Sequence, residues 1–247
     1  MDDKKFWMVT PTGKVSDMTE KEALRYDIDP QPLSGWFMAF NAHEIFHGTE
    51  QEGWASPNKH YNPDQNEYSK HTDARRIRLQ LQEQLMAAYT NKSGKSLAQA
   101  LATYRYDKKN YKATFEGDRV EETAYYYEIR SSLFAGYPDK VNTMKQNNQA
   151  VRTLFKQNRL AYLDSGAYAE TYNVGALASF ILDWQADKQG ISRDTWKKAM
   201  ASDKMNPMDY LDKHAKIFYI PPYKATMTNV EYKTMYKKIL NYKNLAD

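Results

Sequence analysis

The chain has 247 residues, a net charge of +4 and 41% hydrophobic residues, which is typical of a folded domain rather than of a disordered chain. Its longest apolar stretches are much shorter than the ~20 residues that a bilayer-crossing helix needs, so we expect no membrane span. The chain has no cysteine, which excludes disulfides, thiolate metal ligands and cysteine nucleophiles.

The N-terminal residues predict a small β element. The chain starts with Met-Asp-Asp-Lys-Lys-Phe-Trp, without the apolar run of a signal peptide, so we expect a cytoplasmic protein or a secreted or periplasmic one whose signal has been removed. Residues 6–15 carry β-prone residues around a Pro-Thr-Gly turn, a pattern typical of a hairpin. No repeat or low-complexity linker marks a boundary, so we expect residues 1–247 to form a single domain.

The rest of the chain has mainly helical patterns. Thr19 and Glu22 form a capping box before a short helix. Within residues 66–91 an apolar stripe with charges elsewhere predicts an amphipathic surface helix; the stripe consists of Ile77, Leu81, Leu85 and Ala88. Further helices are predicted at about 36–51, 96–107, 118–135, 140–163, 167–189, 192–201, 207–216 and 228–244. The fold class predicted is therefore mainly α, with a small β element near the N-terminus.

One motif indicates metal chemistry. Residues 43–47 read His-Glu-Ile-Phe-His, and a chain with 5 histidines in 247 residues is expected to contain far fewer than one such pattern by chance. Residues four apart lie about 40° apart around a helix, so His43 and His47 can both present an imidazole nitrogen to one zinc ion. Glu44 lies beside that metal and can act as a general base toward a water molecule bound there.

The third protein ligand must come from elsewhere in the chain. Gly53 stands where a metzincin would have its next histidine. His60, His71 and His214 are candidates, but each stands alone among polar residues, where a solvated histidine is more common. Glu121 is favoured, because small Ala124 and Tyr125 on the same helix let it approach the motif helix closely.

Together these segments resemble the gluzincin-type zinc metallopeptidases, in which two histidines and a downstream glutamate hold the metal. Many bacterial relatives have Glu-Gly-Leu-Ala-x-Tyr-x-Glu, which falls on Glu-Glu-Thr-Ala-Tyr-Tyr-Tyr-Glu at residues 121–128. A later Tyr-x-x-Gly-Ala followed by Leu-Asp, here starting at Tyr172 and Leu182, is also familiar from such proteins. The resemblance covers roughly residues 36–185, and only its first patch is specific.

This resemblance implies a zincin-like helical domain that holds one Zn²⁺ through His43, His47 and Glu121 and cleaves a peptide or protein substrate. Glu122 replaces the usual glycine of the pattern, so the register of the third ligand could slip by one and Glu122 is the second choice. Tyr172, in the later patch, is our choice for the donor that stabilises the oxyanion. Asp118, on the same side of its helix as Glu121, is the candidate to orient a ligand histidine.

The C-terminal segment from Lys216 to Lys243 interleaves lysines with aromatic residues, from Phe218 to Tyr242. Such interleaving can bind single-stranded nucleic acid, but it is more often a helix that packs its aromatics inward, and we favour packing over a nucleic-acid partner. Thr228 and Glu231 form a second capping box there. The rival to a peptidase is a non-enzymatic, metal-containing protein that holds a partner on this basic aromatic surface.

Overall fold

The computed structural model describes residues 5–9, 15–19, 33–54, 72–111, 118–156, 169–202 and 205–234. Strands β1 (Lys5–Val9) and β2 (Val15–Thr19) pair in antiparallel fashion, with Phe6 opposite Met18. The remaining described ranges are mainly helical, which confirms that the fold is mainly α. The short helix expected after Thr19 and the ends of two other predicted helices, residues 157–163 and 235–244, lie outside the described residues.

The helices lie close to their predicted positions. They are α1 (Leu33–Thr49), α2 (Thr72–Asn91), α3 (Gly94–Asn110), α4 (Asp118–Gly136), α5 (Met144–Lys156), α6 (Ala169–Gln189), α7 (Asp194–Ser202) and α8 (Pro207–His214), and residues 229–234 are also helical. Among these elements, α1 packs most extensively on α4, while α6 contacts α2, α4 and α8. Helix α6 therefore lies at the centre of the core.

Side-chain caps set several helix ends. The Ser93 hydroxyl accepts a hydrogen bond from the Ser96 amide at 3.2 Å, and Asn206 caps α8 by accepting from the Asp209 amide at 2.7 Å. The predicted capping box at Thr228 is confirmed, because its amide donates to Glu231 Oε2 at 2.7 Å and its hydroxyl accepts from the Glu231 amide at 3.1 Å.

Helix α2 differs from its prediction as an amphipathic surface helix. Its predicted apolar stripe is buried, but Arg75, Arg78, Gln80 and Gln82 are buried as well. Arg78 Nε lies 2.8 Å from Asp107 Oδ2 of α3, which compensates the buried guanidinium. The polar residues of α2 led to the prediction that this helix faces solvent. In the fold, several of them are buried and pair with residues of other elements.

The C-terminal segment is held on α2 by Gln80. The Gln80 amide donates to the Lys224 carbonyl at 2.9 Å and accepts from the Thr226 amide at 2.8 Å. The predicted inward packing of aromatics is found for Tyr232, which is buried, and for Tyr223, which stacks on Tyr106 at 4.0 Å. Phe218 and Tyr219 are instead exposed, so the packing interpretation holds for only part of this segment.

A buried polar cluster centred on Asp183 ties α6 to α4 and α7. The Asp183 carboxylate pairs with Arg130 and accepts a hydrogen bond from the Tyr126 hydroxyl, both on α4. It also accepts from the Trp196 indole of α7 at 3.1 Å. Because breaking a buried ion pair costs about 3–5 kcal/mol, this cluster fixes α4 relative to α6.

Gly175 of α6 allows α6 and α4 to approach closely. A Cβ atom at this position would lie 1.8 Å from Glu122 Oε2 and 2.3 Å from Glu122 Cβ. The fully buried Glu122 side chain therefore occupies the space that any larger residue would need. This contact directs Glu122 toward α6.

We expect Gly175→Ala to destabilise the protein by about 1–3 kcal/mol, because the methyl group overpacks a filled site. Urea titration followed by circular dichroism measures the change in the free energy of unfolding. Gly94→Ala is the matched control, since a Cβ there meets nothing within 4 Å. Equal stability of the two variants would contradict the close approach of the helices.

Within the described residues, none of the helices combines the length and the hydropathy that crossing a membrane takes.

Candidate metal centre

Helix α1 carries the motif and packs it against α4. His43 is buried and His47 half-buried, whereas Glu44 and Ile45 between them face solvent. Phe46 anchors the other side of this turn by stacking on Tyr127 of α4, with ring centroids 4.3 Å apart. The helical period therefore places the two histidines together at the interface.

Both histidines direct Nε2 at the same carboxylate oxygen of α4. Glu121 Oε2 lies 3.2 Å from His43 Nε2 and 3.4 Å from His47 Nε2. The two imidazole rings meet edge to face, with centroids 4.7 Å apart. One ligand atom from each of these three residues lies within 4.8 Å of the others, so the predicted ligand set is brought together.

The other ring nitrogen of each histidine is held by an acceptor. His43 Nδ1 donates to Glu128 Oε2 at 2.9 Å, and His47 Nδ1 donates to Gln51 Oε1 at 2.7 Å. The Gln51 amide in turn donates to the Val120 carbonyl and the Thr123 hydroxyl, each at 2.8 Å. In the neutral form that metal ligation requires, each imidazole would keep its Nδ1 proton on this acceptor and present the lone pair of Nε2.

Burial and hydrogen bonding oppose each other in setting the charges here. Burial lowers the pKa of His43, but hydrogen bonds and charge from Glu121 and Glu128 outweigh it and raise the pKa to about 9. The pKa of His47 is also raised, because hydrogen bonds with Glu121 and Gln51 overcome its burial. Burial would raise the pKa of Glu121, yet hydrogen bonds from His43, His47 and Tyr172 hold it well below its usual value. The carboxylate therefore carries its negative charge at neutral pH.

Tyr172 lies beside the three candidate ligands. Its ring stacks on His43 with centroids 5.8 Å apart, and its hydroxyl hydrogen-bonds with Glu121. Burial and the neighbouring negative charge of Glu121 raise the pKa of Tyr172 far above its ordinary value. The hydroxyl thus keeps its proton and can act as a donor at this site.

Glu44 is exposed on the solvent side of α1, next to His43 in sequence. Its negative charge is among the smaller contributions that raise the pKa of Tyr172. Glu44 does not belong to the three-residue cluster formed by His43, His47 and Glu121. A carboxylate in this position is available for proton transfer rather than for ligation.

The other ligand candidates do not join the cluster. Glu122 contacts Gly175 on the α6 side of its helix, so it is not brought to the histidines. His214 stacks on Tyr210 at the end of α8, with centroids 4.2 Å apart. His60, His71 and the side chain of Asp118 lie outside the described residues.

Sequence reasoning assigned the orienting role to Asp118 and missed the two acceptors that the structure shows. Glu128 lies seven residues after Glu121, two helical turns along nearly the same face, so both carboxylates can reach one imidazole of α1. Gln51 lies four residues after His47, at the spacing of neighbouring turns. Either spacing could have identified these residues as partners of the histidines.

Two of the three distances between the candidate ligand atoms match those of a tetrahedral metal site. With metal–ligand bonds of ~2.0–2.2 Å, two ligands of tetrahedral zinc lie ~3.3 Å apart, and the two Nε2 to Oε2 distances are 3.2 and 3.4 Å. Two imidazoles and one carboxylate are also a common donor set for catalytic zinc. Comparison of the chain with family models, with curated proteins and with solved structures gives no match.

Proposed function

We propose that the protein is a zinc-dependent hydrolase with a zincin-like helical fold, and that it cleaves peptide bonds. His43, His47 and Glu121 would hold one Zn²⁺. The observation that carries this proposal is the convergence of two Nε2 atoms on one Glu121 oxygen at tetrahedral spacing, while both Nδ1 atoms are held by acceptors. Three protein ligands leave one position for water or substrate, as catalytic rather than structural zinc sites do.

When bound, zinc would supply Lewis acidity here, to polarise a carbonyl oxygen and to lower the pKa of a water molecule. On the solvent side of the site, Glu44 accepts a proton from the attacking water molecule and passes it to the leaving amine of the peptide. The protonated Tyr172 hydroxyl provides a hydrogen-bond donor for the negative charge that develops on the carbonyl oxygen. Glu128 and Gln51 keep the imidazoles in the orientation that ligation requires.

The position of Glu44 favours an enzyme over a structural metal site. A structural zinc site closes with a fourth protein ligand, and within the described residues the cluster contains three. An exposed carboxylate beside such a cluster has no part in ligation. The rival function, a metal-containing binding protein, has in its favour the exposed Phe218 and Tyr219 of the C-terminal segment.

Cleavage of a broad peptide library, with and without a zinc chelator, tests the proposal. We expect cleavage that the chelator abolishes and added zinc restores. A zinc-loaded protein that cleaves no peptide would instead support the binding protein. Cleavage that persists in the metal-free protein would contradict the role of the metal.

We expect zinc affinity to rise steeply between pH 6.5 and 9. Because the pKa of His43 is raised from 6.5 to about 9, a proton occupies its ring below that pH and zinc must displace it. Each displaced proton lowers the apparent affinity by about tenfold per pH unit as the pH falls, and the raised pKa of His47 makes the slope steeper. Competition with a chromophoric chelator at several pH values measures this slope, and calorimetry in buffers of different ionisation enthalpy counts the protons released. An affinity independent of pH over this range would contradict the electrostatics of the site.

A further inference from the structure

A groove of about 760 Å³ lies on another face of the molecule, between α5 and the C-terminal half of α6, beside the end of α2. It is rich in basic side chains, and we call it the basic groove. The charged residues that line it are Lys92, Lys145, Arg152, Lys188, Arg193 and Asp187. Its volume is in the range of small-molecule binding sites.

The basic groove has an excess of positive charge that the described residues do not neutralise. Asp187 is already bound by Arg193, whose Nε and Nη2 donate to it at 2.8 and 2.6 Å. Within the described part of the chain, Lys92, Lys145 and Lys188 form no salt bridge. Together with Arg152, these three lysines place four positive charges around the groove, and none of the four forms a salt bridge with a described carboxylate.

Arg152 is positioned by an aromatic ring and not by a carboxylate. Its guanidinium lies 5.7 Å from the centroid of the Tyr89 ring at the floor of the groove. Its Nε is buried and donates no hydrogen bond to any residue that the structure describes. A buried donor without an acceptor is unfavourable, and the negative charge of an oxyanion in the groove would stabilise the guanidinium that carries it.

Lys92 lines the groove from the turn between α2 and α3. Lys92 has a φ of 50°, in the left-handed region where glycine or asparagine is usual. It follows α2 directly and precedes Ser93, which caps α3. The Lys92 side chain therefore adds a positive charge to the groove from this turn.

The four residues of α5 that line the groove lie on one face of this helix. Lys145, Asn148, Gln149 and Arg152 all line it and recur at the helical period. The adjoining face of α5 is buried and includes Val151 and Phe155. Helix packing therefore buries one face of α5 and leaves a cationic, amide-bearing face over the groove.

We propose that the basic groove binds a phosphate-bearing ligand with at least two negative charges. Four cations and two side-chain amides match the several acceptor oxygens of a di- or triphosphate. Trp184, half-buried in the same lining, offers a ring on which a base could stack if the ligand is a nucleotide. This site is separate from the candidate metal centre, because Trp184 lies 12 residues, about 18 Å, along α6 from Tyr172.

Isothermal titration of the purified full chain with inorganic triphosphate and with ATP, at low ionic strength, tests this proposal. We expect saturable binding of both, weakened about tenfold in Lys145→Glu and in Arg152→Ala. Lys145 is exposed in the first turn of α5, where a glutamate is compatible with the helix dipole, so this variant should fold. Tighter binding of ATP than of triphosphate would identify a nucleotide as the ligand, and equal binding an inorganic or sugar phosphate.

Two control variants separate this site from general attraction and from the metal centre. Lys109→Glu makes the same change in net charge on the exposed face of α3 and should leave the affinity nearly unchanged. His47→Ala should also retain binding. Absence of saturable binding, an equal loss in Lys109→Glu, or a loss in His47→Ala would overturn the proposal.

Discussion

Replacing Glu44 with Gln is expected to lower peptide hydrolysis by about 10²–10⁴-fold while zinc occupancy stays near that of the wild type. The amide keeps the size of the side chain but does not accept a proton at neutral pH. Glu44 is exposed and lies outside the three-residue cluster, so its replacement removes no ligand and no buried contact. The rate and the zinc content must be measured on the same preparation.

Glu52→Gln is the matched control for this variant, because Glu52 is another exposed carboxylate shortly after α1. It should retain wild-type activity. A loss of activity in Glu44→Gln that accompanies a loss of zinc would show that Glu44 acts as a ligand. An unchanged rate with full zinc would assign the base to another residue.

Replacing Glu121 with Ala is expected to weaken zinc binding more than any substitution of a neighbouring carboxylate. It removes one of the three proposed protein ligands and the negative charge that faces both Nε2 atoms. Glu128→Gln removes only the charge that holds Nδ1 of His43, and loss of such an orienting partner typically costs 10–100-fold in metal affinity. We therefore expect the loss in Glu121→Ala to exceed 100-fold.

Glu122→Gln tests the helix register. Because Glu122 lies against Gly175 rather than at the histidines, this variant should bind zinc like the wild type once circular dichroism shows that it is folded. Competition with a chromophoric chelator gives the zinc affinities of Glu121→Ala, Glu128→Gln and Glu122→Gln. If Glu122→Gln weakens binding and Glu121→Ala does not, the register is wrong by one residue. If neither matters, a histidine such as His71 is the third ligand.

The candidate metal-ligating residues follow from local rules. The spacing of His43 and His47 is a property of one helix, and the small residue after Glu121 predicts close packing of α4. Helix bounds were also close, since breaks such as Gly94 and Pro207 are local signals. These features need no knowledge of how distant elements meet.

What was missed depends on contacts between elements. The polar side chains of α2 suggested a surface helix, because the sequence does not show that Arg78 finds Asp107 on α3. Glu128 resembles any helical glutamate until α1 is placed across from it. The basic groove likewise arises only when α5 and α6 present their faces to the same space. Such features are set by tertiary packing and not by periodicity.

A zinc-edge anomalous difference map from crystals of the protein grown with zinc tests the central claim most directly. We predict a single strong peak ~2.0–2.2 Å from Nε2 of His43, Nε2 of His47 and a carboxylate oxygen of Glu121. Crystals of the Glu121→Ala variant grown in the same way should show a much weaker peak. A map without a peak between these three residues, with zinc bound elsewhere or not at all near neutral pH, would contradict the account.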